Sequence, residues 1–192
     1  MKINTVLLLS FLLVLPTILI AQNNDNPLNG PKSEYYPSGK IMKEYILSDG
    51  VPDGIYKYYS EKGPLLEEQK LVKGIRQGIQ KTFYESGQVH MEQNYENGVP
   101  QGLSKEYYEN VTLKSESNLT GEPWEYSGYT NTFYEDGKKH TESQIRHGEI
   151  TSSVSYDREG RVSSEYTGGT TYDYWYEENG KKHVLINGVP QD

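Results

Sequence analysis

No cysteine occurs in the 192 residues, so the chain has no disulfide framework, no thiolate metal site and no lipid-attachment cysteine. No alanine follows Ala21 and only nine leucines do, which excludes an alanine- or leucine-rich helical bundle. Leu, Ile, Val and Phe supply 28 of the 171 residues after Ala21, about 16%. Composition alone suggests disorder below roughly 20%. Positive charge is scarce too, with 19 Lys and Arg against 27 Asp and Glu and a net charge of −8. That balance argues against nucleic acid and anionic membrane surfaces as partners. A Gly-x-Ser-x-Gly elbow, a phosphate loop and a His-Glu-x-x-His pair are all missing. What the chain does have is eighteen tyrosines and nineteen glycines, a strand former and a turn marker. It is either disordered or a thin β-structure, and its periodicity decides which.

The first residues read as an address. Lys2 precedes an apolar run, Val6–Ala21, interrupted by Ser10, Pro16 and Thr17 and followed by Gln22-Asn23-Asn24-Asp25-Asn26. Its sixteen residues fall short of the ~20 that span a bilayer as a helix. The expectation is a signal peptide over 1–21, cleaved after Ala21, and a soluble product in the periplasm or outside the cell. Residues 22–33 read as a flexible leader.

From Glu34 to Asp192 the sequence repeats. Aromatic steps precede glycine turns at Tyr36, Tyr59, Tyr84, Tyr108, Tyr134, Tyr156 and Tyr176, anchors spaced 23, 25, 24, 26, 22 and 20. A second turn falls midway, as in Asp49–Gly54, Lys73–Gly78 and Asn97–Gly102, with proline expected at the second turn position of Val99-Pro100-Gln101-Gly102. Between turns the pattern alternates: Val89, Met91, Gln93 and Tyr95 are assigned to one side, and Ile79, Lys81 and Phe83 alternate with Gln80, Thr82 and Tyr84. Such alternation specifies antiparallel hairpins. The fold class predicted is all-β, an elongated antiparallel meander of about seven hairpins and ~14 strands, ~65–70 Å along the stacking direction. Because a lone hairpin is marginal in water, each must bury its neighbour's side chains.

The units resemble the variant MORN repeat, on Tyr84-Glu85-Ser86-Gly87 with Asn97-Gly98 and Gly102, and on Tyr134-Glu135-Asp136-Gly137-Lys138. The resemblance covers Glu34 to Asp192. Bacterial chains of this build are grouped as YwqK-type antitoxins of toxin–antitoxin systems. The resemblance therefore implies a non-catalytic repeat that binds and neutralises a partner protein.

The chemistry-bearing residues are sparse. His90, His140 and His183 share one repeat position and stand two units apart, ~19 Å by strand spacing, too far for one metal ion. His147 is a turn residue. Glu85, Glu109, Glu135, Asp157 and Glu177 follow the anchors as solvated turn carboxylates, with Lys40, Lys138, Arg161 and Lys181 as partners across the turns. No catalytic residue, metal or cofactor is assigned. The candidate binding surface is the aromatic row Tyr36, Tyr59, Tyr84, Tyr108, Tyr134, Tyr156, Tyr176 and Trp175, with Trp124 either core or contact area. The function expected is an exported scaffold for an unknown protein partner. The alternatives are an antitoxin or immunity protein capturing a basic toxin and a glycan-binding module. The terminal Asn187–Asp192 copies the Asn97–Gly102 turn without a following strand, so the hairpin at Trp175–Ile186 is expected to offer an open edge for weak end-to-end self-association.

Overall fold

The structure, a computed structural model, describes residues 28–122 and 125–191. The signal assigned to 1–21 and Trp124 lie outside the described residues. Seventeen strands form one sheet, and its pairings are antiparallel between strands near one another in sequence. The first nine are β1 (Gly30–Tyr35), β2 (Ile41–Ser48), β3 (Val51–Pro52), β4 (Gly54–Tyr59), β5 (Leu65–Val72), β6 (Ile75–Arg76), β7 (Gly78–Phe83), β8 (Val89–Glu96) and β9 (Val99–Tyr107). The rest are β10 (Leu113–Thr120), β11 (Ser127–Phe133), β12 (Lys139–Arg146), β13 (Glu149–Tyr156), β14 (Val162–Thr167), β15 (Thr170–Tyr176), β16 (Lys182–Ile186) and β17 (Val189–Gln191). No helix occurs among the described residues. Since β3 with β4, and β6 with β7, are each one strand broken at a single residue, the meander has seven hairpins plus β17. At ~4.8 Å per strand it extends ~67 Å.

One family of turns has two residues. Asp49-Gly50, Lys73-Gly74, Asn97-Gly98, His147-Gly148 and Asn187-Gly188 hold φ of 48–52° and then 78–82°. Both values positive is the type I′ hairpin, whose twist matches the flanking strands. Proline cannot take such a φ, so the expected turn proline is not in the turn. Pro52, Pro100 and Pro190 stand second in the strands that follow.

The turns at the other edge are longer. In each, the first residue's N–H donates to the fifth residue's carbonyl and the fourth residue's N–H donates back, as in Tyr36 to Lys40 at 2.8 Å and Gly39 to Tyr36 at 2.9 Å. The same pair of bonds opens at Ser60, Tyr84, Tyr108, Tyr134, Asp157 and Glu177. This corrects the repeat register. Tyr59, Tyr156 and Tyr176 are last strand residues, equivalent to Tyr35, Phe83, Tyr107 and Phe133. With Ser60, Asp157 and Glu177 in their place, the spacing becomes 24, 24, 24, 26, 23 and 20.

Each of the first six long turns feeds a β-bulge, whereas the last, opened by Glu177, leads into β16 without one. Phe83 pairs with Val89 and Thr82 with Met91, leaving His90 extra. Met42, Leu66, Lys114, His140 and Ser163 are the counterparts. A bulge resets the alternation, so Val89 lies on the face opposite Met91, Gln93 and Tyr95, contrary to the simple period of two.

Two boundaries also differ from expectation. Gly30–Ser33, assigned to the flexible leader, forms most of β1 and pairs with β2. The end of the chain is not bare: β17 pairs Gln191 with Val184, Pro190 with Leu185 and Val189 with Ile186.

The sheet has one layer. Leu71, 8% exposed, is the one buried hydrophobic residue among those described. Stability comes from pairing along the sheet rather than packing across it. Two positions test the backbone. Val111 holds φ +64° where the six other long turns carry glycine, a strained conformation for a β-branched residue. Gly128 lies so close to β10 that an added Cβ would stand 1.9 Å from the Asn118 carbonyl oxygen. Val111→Gly is expected to raise stability by roughly 0.5–1 kcal/mol, and Gly128→Ala to lower it more than any other Gly→Ala change. Thermal melts of the two variants against the parent check both.

Candidate interaction surface

Strand alternation divides the side chains between two faces. On one, the register aligns Glu44, Lys57, Glu68, Lys81, Glu92, Lys105 and Glu116, each directly opposite the next on successive strands. Acid and base alternate without a break. Three contacts are direct: Lys57 to Glu68 at 3.8 Å, Lys81 to Glu92 at 2.9 Å and Lys105 to Glu116 at 3.6 Å. Opposite charges facing across strands stabilise a sheet by a few tenths of a kcal/mol each. Beyond Glu116 the row continues Asn131, Glu142, Val154 and Glu165. None of these four positions holds a lysine, although Lys139 reaches Glu142 along its own strand at 2.7 Å.

Two residues along, the same face carries a second row, Ile46, Ile55, Lys70, Ile79, Asn94 and Leu103, aliphatic at four of its six positions. Ile46, Ile55, Ile79 and Leu103 are 47%, 46%, 58% and 44% exposed. Grooves lie between the two rows. One of about 230 Å³ is bordered by Ile79, Leu103, Glu92 and Lys105, and one of about 390 Å³ by Ile46, Ile55, Glu44 and Lys57. The opposite face is uncharged in its central row, where Gln80, Gln93, Ser104, Ser117, Thr130, Ser143 and Ser153 stand in register.

The expected aromatic row divides into two groups. Tyr36, Tyr84, Tyr108 and Tyr134 open turns, and each phenol donates to a main-chain carbonyl one unit ahead. The acceptors are Tyr59 at 2.7 Å, Tyr107 at 2.7 Å, Phe133 at 2.9 Å and Tyr156 at 2.8 Å. Tyr59 and Tyr156 lie on the charged face and donate to Glu44, at 2.6 Å, and to Glu142. Tyr176 donates to the Val162 carbonyl at 3.0 Å. Trp175, 44% exposed, belongs to the opposite face and stacks on His183 at 4.8 Å between ring centroids. All seven tyrosines are half-buried with their hydroxyls spent inside the sheet. The aliphatic row was the surface feature that the aromatic count concealed. Its signal was Gly-Ile, Gly-Ile and Gly-Leu at Gly54, Gly78 and Gly102.

The bulge residues lean on these turn rings. His90 stacks 4.6 Å from Tyr84, His140 4.5 Å from Tyr134, and the Lys114 ammonium sits 5.9 Å over Tyr108. Among the described residues, no three His, Asp or Glu side chains converge as metal ligands would. Glu106 lies between Lys114, at 2.7 Å, and His90, at 3.4 Å. The Lys114 hydrogen bond is the main reason its carboxyl titrates below the usual range. Of the turn cations, Lys40 and Lys138 reach the next turn's carbonyls at Glu61 and Arg158. Arg161 and Lys181 pair within their own turns, with Asp157 at 2.7 Å and Glu177 at 3.8 Å. Glu85 pairs with Lys62 one unit back, and the Glu109 carboxylate accepts from Ser86 at 2.7 Å.

Residues 28–46 and 76–97 match the model of the MORN repeat variant. Both segments contain a complete long turn opened by tyrosine, Tyr36–Gly39 and Tyr84–Gly87. No curated protein matches the chain. The observed class is thus an all-β protein of repeated hairpins, two segments of which are similar to the MORN repeat variant.

The phenol bonds generate a prediction. Tyr84→Phe and Tyr108→Phe each remove a bond to the next unit and should cost about 1 kcal/mol. Tyr59 has a further signature: the Glu44 carboxylate, and then burial, push its phenol up to about 12. A raised pKa stabilises fully below the unfolded value near 10, and that stabilisation is lost as pH climbs through about 12. Denaturant midpoints measured between neutral pH and pH ~11 should fall less steeply for Tyr59→Phe than for the parent.

Proposed function

We propose that the chain is an exported, non-enzymatic β-repeat scaffold that binds another protein across its charged face. The observation that carries this reading is the set Ile46, Ile55, Ile79 and Leu103, aliphatic side chains held in water beside a ladder of alternating Glu and Lys. A polar-out sheet face normally alternates such groups away, whereas an apolar strip rimmed by paired charges is the composition of a protein-binding patch. Single-layer construction supports it, because nothing in the described residues covers that face. The apolar run Val6–Ala21 supports export.

A second reading draws on the other end of the same face. With Asn131 and Val154 where lysines would stand, the row keeps the acids Glu142, paired by Lys139 at 2.7 Å, and Glu165, and these would face a basic partner, as an antitoxin requires. The two readings place the partner on different strands.

The test uses immobilised protein and host envelope extract. In the first reading Ile55→Lys with Ile79→Lys abolishes specific capture, while Glu142→Gln with Glu165→Gln leaves it intact. The reverse pattern establishes the acidic strip. Capture that neither pair changes would remove the charged face from consideration. Mass spectrometry of the host-made product is expected to find Gln22 at its N-terminus, and a product retaining Met1 would defeat export.

A further inference from the structure

We propose that the partner which fits the charged face is a second copy of this chain, packed face to face about a two-fold axis parallel to the strands between β5 and β7. This deepens, and rests on, the reading of that face as a protein-binding surface. Number the ladder from Glu44 as the first position to Lys105 as the sixth. A two-fold axis parallel to the strands reverses the order of strands but keeps each row over itself. Position one then faces position six, two faces five and three faces four. Glu44 meets Lys105, Lys57 meets Glu92, and Glu68 meets Lys81. Since acids occupy odd and bases even positions, every facing pair is opposite in sign. A two-fold axis along the row instead sets Glu on Glu and Lys on Lys, so charge selects one arrangement. The same operation brings Ile46 over Leu103 and Ile55 over Asn94, and lays the methylene stem of Lys70 along Ile79, which lets that lysine keep its charge in solvent.

Spacing argues for a sheet as the occupant. Charges in the ladder repeat at the strand separation of ~4.8 Å. Another sheet keeps that stride across all six strands. A helix laid along the row advances ~5.4 Å per turn and falls out of step by ~3 Å over five intervals. A strand laid along it repeats on one face at ~6.8 Å, further still from the spacing. Two sheets of like twist also pack with their strands about −30° apart, so contact is densest at the central Glu68–Lys81 pairs. Six strands and two rows cover on the order of 400–500 Å² per copy, less than the ~800 Å² per partner of a stable complex. The dimer is therefore weak, concentration-dependent and weakened by salt.

Sedimentation of the full exported chain over a range of concentrations, at low and high salt, is the first measurement. The decisive one uses a variant in which all seven ladder residues are inverted: Glu44→Lys, Lys57→Glu, Glu68→Lys, Lys81→Glu, Glu92→Lys, Lys105→Glu and Glu116→Lys. Inversion keeps the acid–base alternation within the sheet, so the fold keeps its cross-strand pairs, and it keeps self-complementarity. Parent with inverted chain, however, faces acid on acid and base on base. Because the sequence has no cysteine, one introduced in the leader takes a donor or an acceptor dye for energy transfer. Parent and inverted chain are each expected to dimerise, and a mixture to show transfer only between like copies. Should the seven-fold variant melt early, Glu68→Lys with Lys81→Glu makes the same comparison at the centre of the interface. Free mixing, association insensitive to salt, or a parent that stays monomeric at every concentration overturns the proposal. A monomeric parent leaves the scaffold reading to the capture experiment, which scores a different variant against a different partner.

Discussion

A sheet with water on both sides has to obtain from its neighbours in the plane what other folds obtain from a second layer. Backbone ladders supply most of it, but strands alone slide and twist. Here the pairing between units is fixed at both edges. At the short turns, the glycine N–H donates one unit back, Gly74 to Pro52 at 2.7 Å and Gly98 to Arg76 at 2.9 Å. At the long turns, a tyrosine hydroxyl donates one unit forward. Where both bonds are present, a hairpin is tied to the one before it along one margin and to the one after it along the other, and the ladder of charges runs between the two margins.

This arrangement explains the composition. Tyrosine is abundant because one side chain supplies a ring wide enough to shield the backbone and a hydroxyl long enough to reach the next unit. Aliphatic residues are few because no interior exists to fill. Glycine recurs because both turn types need positive φ, and Val111 shows what happens when the repeat decays: the backbone keeps the geometry and carries the strain. The glutamines on the opposite face, Gln69 and Gln80, are among the few buried residues. Each is engaged by a neighbour, Arg76 to Gln69 at 2.9 Å and Gln80 to Glu67 at 2.6 Å, so polar contacts occupy positions that a core would give to leucine.

The hairpins, their number and their order were legible in the glycine spacing. The register was not, because aromatic residues occupy two adjacent positions, the last of the strand and the first of the turn. Choosing the more conspicuous aromatic at Tyr59, Tyr156 and Tyr176 shifted three units by one residue. Ser60, Asp157 and Glu177 look nothing like tyrosine, yet hold the same place in the backbone. Bulges were invisible for a related reason: an extra residue leaves no compositional mark, although it decides which face every earlier residue occupies. Once the units are aligned on their turns, the surface becomes readable in the sequence itself. Glu44, Glu68, Glu92 and Glu116 recur at 24 residues, as do Lys57, Lys81 and Lys105, and Ile55, Ile79 and Leu103.

The forward-reaching phenol is not distributed evenly. Ser60 interrupts the series once near the start. The last two long turns begin with Asp157 and Glu177, whose side chains make their contacts within their own hairpins. A chain pulled from its two ends would therefore not come apart at random. Hairpins would peel one after another from the C-terminal side, each yielding at a lower force than those tied by Tyr84, Tyr108 and Tyr134. The unpeeled remainder would stay folded, because each unit depends only on the next. Such a sheet behaves under load as a zipper with a preferred end.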